Sequence, residues 1–355
     1  MTEKKKIRFG VIGAGKIGNF HSRTLASMPE VKLVGISDIN ILRAQELAWR
    51  YDSMAYKNYE DILPQVDALV IAAPTEYHAE IALTAMKKGI HCLVEKPITD
   101  SVENAKKLLK MAEEEKVMLQ VGHVERFNPA VVEALKHIKN PKFVTIERLG
   151  PYDPRVSSIG VTLDLMIHDL DIILTMMDSP LESFEAVGAS LLSEHDDISN
   201  VRLKFQSGCI VDVTASRATM EIARRMRVYQ EDNYISVDYS SSRIKIYEKK
   251  NSPIQSLKDI SVSFPKITPK QPIREELYHF IDCIENSKNP VPSGEKGLMA
   301  LKLALDITDN LKKYELKEAK TPLGKNSILQ SISDAGKVAK VMVEEGLKNS
   351  GIDKT

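Results

Sequence analysis

From Ile7 to Val121 the chain alternates between short runs that are apolar at nearly every position and longer stretches with helical signals. The runs are Ile7–Ile12, Val31–Ser37, Ala68–Ala73, His91–Glu95 and Val117–Val121. Strands of this kind are covered on both faces, as in parallel sheets flanked by helices. Asp100 with Glu103 predicts a capping-box start to a helix ending near Lys116. Gly89 marks the stop of a helix that begins at about His78. This β-α-β order predicts a doubly wound parallel sheet.

After Gly122 the rhythm changes. A helix over 129–138 leads to an alternating strand at Lys142–Arg148, a Gly- and Pro-bearing loop at 150–160, and a helix from about Val161 to Met177. Alternating strands then fill Phe184 to Glu248, with a hairpin at Gln206-Ser207-Gly208. Strands with one apolar face predict an open, mainly antiparallel sheet with helices on that face. Val201, Leu203 and Phe205 alternate with Arg202 and Lys204 and mark the covered side. Val211, Val213, Ile235 and Val237 are expected to lie partly on the other side, depending on register, as a surface for a second subunit. Residues 249–272 read as a long loop, followed by helices at Arg274–Asn286 and Gly294–Tyr314 and an amphipathic stretch from Ile328 to Leu347. The expected organisation is α/β: a first domain over 1–122, and a second over 123–355 whose helices near 294–314 and tail are available to pack back on the first.

Composition narrows the function classes. The 355 residues carry 49 Lys+Arg against 49 Asp+Glu, which argues against a nucleic-acid binder. Lys4-Lys5-Lys6 is too short to alter this. No apolar run approaches the roughly 20 residues of a membrane-spanning helix. Cys92, Cys209 and Cys283 are odd in number and far apart, so neither a disulfide framework nor a zinc site is expected. A cytoplasmic location is the default.

The first strand runs into Gly13-Ala14-Gly15-Lys16-Ile17-Gly18, a G-x-G-x-x-G turn. Gly13 allows the tight turn, Gly15 lets a pyrophosphate approach the backbone, and Gly18 lets the helix pack on the strand. The helix start, with Lys16 and Ile17, offers free N–H groups to phosphates. Asp38 lies 20 residues beyond Gly18, where a carboxylate accepts hydrogen bonds from ribose hydroxyls and repels a 2′-phosphate. Ile39 and Asn40 follow, and Arg43 on the next helix reads as solvated. NAD is expected over NADP.

Further along, Lys96 follows the fourth strand and precedes Pro97, at the carboxyl end where ligands bind in such sheets. Asp164 and His168 are spaced i, i+4 and share a helix face, with Asp171 close to it. A lysine, an imidazole and carboxylates together can run a proton relay for alcohol oxidation. A metal site on Asp164, His168, Asp169 and Asp171 is disfavoured: there is no second local His and no Cys, and hydride transfer needs no metal. His195-Asp196-Asp197 reads as a polar turn.

GAGKIG, Asp38, AAPTEYH (72–78), VEKP (94–97), DLMIHDLD (164–171) and GEKGLMALKLALDI (294–307) together resemble the glucose–fructose oxidoreductase/inositol dehydrogenase/rhizopine-catabolism (Gfo/Idh/MocA) oxidoreductase family. The resemblance implies a Rossmann domain, a second α/β domain with an open sheet, and a nicotinamide held between them. It assigns the catalytic set to Lys96, Asp164 and His168, leaving open which of Lys96 and His168 is the base. It points to Pro74, Thr75, His78, Glu95 and Arg126 for the cofactor; Thr75 and His78 are equally suited to capping the next helix. Asn128 and Arg155 are substrate candidates, Arg155 for a diphosphate because guanidinium binds phosphate in bidentate fashion. VGHVERFNPAV (121–131), GPYDPR (150–155) and IGVTLDLMIHDLDI (159–172) resemble the UDP-N-acetylglucosamine 3-dehydrogenase subgroup. That implies oxidation of a C3 hydroxyl to a ketone, a pathway aminotransferase feeding lipid A-type amino sugars, and a homodimer or homotetramer through the second sheet. A polyol or UDP-hexosaminuronate dehydrogenase, and a non-catalytic dinucleotide sensor, remain alternatives.

Overall fold

The computed structural model describes residues 6–154, 159–251 and 253–313. Six parallel strands form the first sheet: β1 (Ile7–Ile12), β2 (Val31–Ser37), β3 (Met54–Tyr56), β4 (Ala68–Ile71), β5 (His91–Glu95) and β6 (Leu119–Gly122), in the order β3-β2-β1-β4-β5-β6. Helices α1 (Lys16–Ala26), α2 (Ile41–Arg50), α3 (Thr75–Met86) and α4 (Val102–Glu114) connect them. The order reverses between β1 and β4, which opens a crevice beyond their carboxyl ends. Every residue of β4 is buried, as its unbroken apolar run requires. Three details differ from the pattern reading. β3 is three residues long with an exposed Met54, too short to leave a periodic signal. α4 is capped by Ser101, whose Oγ accepts from the N–H of Asn104 at 3.2 Å, while Asp100 receives the Asn104 side chain instead. β6 starts at Leu119 because the Val117 N–H still bonds the carbonyl of Ala112.

The second sheet has nine strands: β7 (Phe143–Leu149), β8 (Leu181–Ala189), β9 (Ile198–Phe205), β10 (Ile210–Ser216), β11 (Ala223–Tyr229), β12 (Asn233–Asp238), β13 (Arg243–Lys249), β14 (Ile260–Ser263) and β15 (Lys312–Lys313). Neighbours are antiparallel except β7 with β10 and β15 with β8. The β9–β10 hairpin turns at Gly208, whose φ of +82° suits glycine. Helices α5 (Pro129–His137), α6 (Ile167–Met176) and α8 (Gly294–Asp309) lie with the covered face, and α7 (Pro272–Asn286) precedes α8. The expected loop at 249–272 contains β14 and a short 3-10 turn at Leu257–Asp259. Helix α8 stops at Asp309, and the chain returns to the sheet as β15.

Register corrects the reading of the outer face. Leu203 stands opposite Val211, Val201 opposite Val213, Val228 opposite Ile235 and Met226 opposite Val237. Directly opposed residues share a face, so Val211, Val213, Ile235 and Val237 are all buried under the helices. The outer face carries ion pairs instead, Arg202–Asp212 at 2.7 Å and Lys204–Glu182 at 2.9 Å. Tyr229, Tyr234 and Tyr247 stack across it with ring centroids 4.8 and 5.2 Å apart.

α7 and α8 lie beyond residue 122 yet complete the first core. Leu277, Phe280 and Ile281 of α7 pack with Phe9, Val31 and Leu33. In α8, Leu301 belongs to the core around β4 and β5, whereas Ala300, Leu303, Ala304 and Ile307 belong to the core of the second sheet. Gly297 permits this approach: a Cβ there would lie 2.4 Å from Val121 Cγ2. The amphipathic stretch Ile328–Leu347 lies outside the described residues.

The polar turn between β8 and β9 is a buried anchor. Asp197 accepts from the backbone N–H groups of Leu191, Leu192 and Ser193 and from Arg217 Nε at 2.8 Å. Burial acts to raise its pKa, but these donors outweigh burial and hold the carboxyl at about 2. Asp197→Ala removes the carboxylate that balances the buried Arg217 charge and is expected to destabilise the fold by about 3–5 kcal/mol, read from urea melts at neutral pH. A carboxyl depressed in the folded state stabilises above its unfolded pKa. The Asp197 contribution is therefore lost as pH falls from about 4 toward 2, and the gap between wild type and Asp197→Ala narrows over that window.

Candidate active site

The glycine turn has the shape a pyrophosphate needs. Gly13 has φ of +100°, and a Cβ there would lie 2.4 Å from the carbonyl oxygen of Ala72; one on Gly18 would lie 1.8 Å from that of Gly13. Around Gly15 the space is open. Gly15 is the N-cap of α1 and brings no side-chain cap, so the first N–H groups of α1, beside exposed Lys16 and Ile17, remain available to an anion. Asp38 follows β2 and accepts from the N–H of Ala14 at 2.7 Å and that of Asn40 at 2.8 Å. It therefore ties the glycine turn to the end of β2 and lines a largely apolar cavity of about 440 Å³ with Ile39, Pro74 and Tyr77. Arg43 is exposed, as expected, at the edge of the same cavity beside Lys57 and Tyr59.

Thr75 opens α3 behind Pro74, and no side chain caps that helix. His78 departs from expectation. It is 1% exposed, with Nδ1 at 2.9 Å from the Pro97 carbonyl and Nε2 at 2.8 Å from that of Ala73. Burial lowers its pKa. It braces the segment after β5 against α3.

At the end of β5, Lys96 Nζ lies 2.5 Å from the backbone oxygen of Asp164 and 3.2 Å from its Oδ1. Asp164 sits in a π-helical turn, Thr162–Met166, that runs into α6. The regular i, i+4 face therefore gives way to a widened turn, of a kind found often at functional sites, and the sequence did not mark it. Asp196 shapes its start, accepting from the Thr162 N–H and hydroxyl at 3.0 and 2.8 Å. His168 follows at the first turn of α6. Burial lowers its pKa well below the ordinary imidazole value, and the charges of Lys96 and Arg148 lower it further, so His168 is neutral. The ring of His123, just after β6, stands edge-on to it at 6.2 Å.

The other acids of this helix hold the scaffold. Asp169 takes Arg148 in a bidentate pair at 2.6 and 2.8 Å, and Arg148 also reaches Glu125 at 3.0 Å. Asp171 faces Arg126 at 3.5 Å. Arg126 is thus buried against α6. Asn128 is also turned inward: its oxygen accepts from the Ala130 N–H as the cap of α5, and its amide donates to Glu125 and to the Tyr239 carbonyl. Those bonds give Asn128 a structural role as the cap of α5. Arg155 lies outside the described residues. Glu95 sits under Lys96, its Oε2 accepting the Lys96 N–H at 3.3 Å and its Oε1 at 2.6 Å from His21 Nε2.

Sequence reasoning passed over His21, His123, Arg148 and Arg224. His123 was accessible to the rule that places ligand-facing residues just past parallel strands. Arg148 and Arg224 stand opposite each other across β7 and β11, a neighbourhood that no local spacing encodes. Arg224 is half exposed, 3.4 Å from Glu125, and adds positive potential at His168.

Residues 7–123 match the family model described as oxidoreductase family, NAD-binding Rossmann fold, and residues 145–236 match the GFO/IDH/MocA C-terminal domain. A UDP-N-acetylglucosamine 3-dehydrogenase of Acidithiobacillus ferrooxidans is 32% identical over 85% of this chain and 96% of its own. A solved structure of UDP-N-acetylglucosamine 3-dehydrogenase from that organism superposes with a TM-score of 0.81 at 31% identity, covering 87% of this chain and 98% of the other. A scyllo-inositol 2-dehydrogenase (NAD(+)) of Bacillus subtilis is 26% identical over 86% of this chain and 94% of its own. The cofactor is NAD, and the glycine turn, free helix start and Asp38 fit its adenosine diphosphate half. Asp38→Ser removes a charged acceptor from two backbone N–H groups and from the ribose. It is expected to weaken NAD binding by roughly 10–150-fold, measured by fluorescence titration, and to leave the melting temperature within a few degrees of wild type.

Proposed function

Because the chain belongs to the GFO/IDH/MocA oxidoreductase family, we propose that it oxidises the C3 hydroxyl of a UDP-N-acetylhexosamine, UDP-N-acetylglucosamine in the first place, to the 3-keto sugar. The observation that supports the reaction is the contact of Lys96 with Asp164 at the carboxyl end of β5, beside His168, whose pKa burial and the Lys96 charge lower. The substrate rests on similarity to the UDP-N-acetylglucosamine 3-dehydrogenase over most of the chain. Bound NAD supplies the hydride acceptor.

Within this reading each residue has a task. Neutral His168 has a free lone pair and takes the hydroxyl proton; loss of the C3 hydride draws electrons from the sugar oxygen and makes that proton more acidic. Lys96 donates to the same oxygen and offsets its developing charge. Asp164 holds the ammonium in place through two contacts. Arg155 is assigned to the diphosphate, with half-exposed Arg224 as a second cation beside His168. An intact set of this kind favours an enzyme over a dinucleotide sensor. The keto product suits a pathway aminotransferase of lipid A-type amino-sugar synthesis, and the outer face of the second sheet is assigned to a homodimer or homotetramer. No helix among the described residues is long and apolar enough to cross a membrane.

Incubation with NAD and a panel of UDP-sugars and polyols, read by NADH absorbance and by mass spectrometry of the sugar, tests the substrate. Turnover of inositol with no UDP-sugar oxidised removes the nucleotide-sugar reading. Lys96→Met and His168→Ala are each expected to lower kcat by about 10²-fold or more, with the double variant little worse than the poorer single. The pH profile has a definite sign. A base with a lowered pKa stays unprotonated further into acid, so kcat holds through the pH range where a free imidazole protonates, near 6.5, and falls only below it. An acid limb centred at that ordinary value would move the proton-accepting role away from His168.

A further inference from the structure

One end of the second sheet carries a knot of buried polar groups that the chemistry above does not use. The β9–β10 register sets Ile198 opposite Ser216, so the residues flanking that pair, Asp197 and Arg217, come side by side. Arg217 is buried. Its Nε donates to Asp197 Oδ1, its Nη1 to the backbone oxygen of Ile159 and its Nη2 to Ser193 Oγ, each at 2.8 Å. The guanidinium also lies over the ring of Tyr152, 5.4 Å from its centroid. One side chain thus grips the chain soon after β7 and again just before the π turn. Asp196 completes the hold. Its backbone oxygen accepts from the Val161 N–H at 2.8 Å, and its carboxylate accepts from the N–H and hydroxyl of Thr162. Gly160 is pressed on the same carboxylate: a Cβ there would lie 1.8 Å from Asp196 Oδ1.

We propose that Asp196 and Arg217 are positioning residues of the reaction: they clamp residues 159–162, and through Gly160 they hold Asp164 against Lys96. Every link in this chain is a contact already made. The Gly160 carbonyl accepts the Asp164 N–H at 3.0 Å, and Asp164 receives Lys96 Nζ on its backbone oxygen and on Oδ1. The clamp matters because of the kind of turn it feeds. A π turn takes in one residue more than an α turn, and it is rare outside functional sites. Once released, the segment is free to relax toward a regular helix. A shift of one residue there rotates a side chain by about 100° around the helix axis, which carries Asp164 off Lys96. Stability alone does not call for the knot, because apolar residues of similar volume often serve as well as a buried ion pair. What Arg217 adds is direction, through donors fixed in one plane that reach Ile159 while the same group stacks on Tyr152.

The inference rests on the role proposed above for Lys96 with Asp164, and its first readout needs no substrate. Acetylation of Lys96 by acetic anhydride in the full-length protein is followed by peptide mass spectrometry. Asp196→Ala is expected to speed it about ten-fold, because the ammonium loses a charged partner. Asp164→Ala should speed it as well, and the double variant should be no faster than the faster single, since the two changes act on one unit. Asp196→Asn, whose amide oxygen still accepts from Thr162, should stay within about two-fold of wild type. With a sugar that turns over, Asp196→Ala should lower kcat about ten-fold or more in the wild-type background and markedly less on Asp164→Ala, with NAD affinity unchanged. Three results overturn the proposal: Lys96 labelling unmoved by Asp196→Ala, equal kcat losses in the two backgrounds, or an Asn variant as impaired as the Ala variant. If Asp196→Ala does not fold, Thr162→Val carries the same comparison. It removes only the hydroxyl that Asp196 receives, and it should raise Lys96 labelling about two-fold or more. Labelling as expected with no UDP-sugar turned over faults the substrate reading and leaves the clamp standing.

Discussion

The Lys96 ammonium, at the end of a buried parallel strand, is held by a carboxylate from outside the first sheet. Asp164 meets it from the second half of the chain. This one ion pair joins the cofactor half of the crevice to the substrate half, and much of the surrounding structure serves to bring Asp164 there. The π turn sets its direction, Asp196 fixes where that turn begins, and the buried pairs Arg148–Asp169 and Arg126–Asp171 hold α6 to the elements on either side. Each is a charge pair that is strongly destabilising to break and weak as a net source of stability. Their evident product is geometry.

The same logic explains the electrostatics of His168. Cations gathered to satisfy Asp164, Asp169 and Glu125 also surround the imidazole, and burial with their repulsion keeps it uncharged. In the proposed reaction, the group assigned to accept the proton is disfavoured from holding one beforehand by cations whose partners are Asp164, Asp169 and Glu125.

Much of this was legible in the chain. Strands buried on both faces announce themselves as apolar runs, and Gly13, Gly15, Gly18 and Asp38 carry a local signature because each answers a local steric or charge demand. Lys96, Asp164 and His168 were singled out by position and family motif, and Asp164 does stand against Lys96. What was not legible shares a cause. The partners of Asn128 and His78 lie in backbone groups and in Glu125, which no short spacing reveals. The place of Val211 and Val237 depended on register, which is set by pairing across strands. The π turn is a matter of one extra residue in one helical turn, invisible to a pattern with a period of 3.6.

α8 belongs to two cores at once, with Leu301 in one and Leu303 and Ile307 in the other, and α7 closes the floor of the first with Phe280 against Phe9. A nascent chain therefore emerges from the ribosome with its nucleotide-binding half unfinished. Phe280, which covers Phe9, is synthesised about 270 residues after it, and Gly297, which packs on Val121, about 175 residues after it. Until then the half-made sheet has bare apolar flanks, an invitation to chaperones, and the two halves of the finished protein are committed to melt together as one cooperative unit.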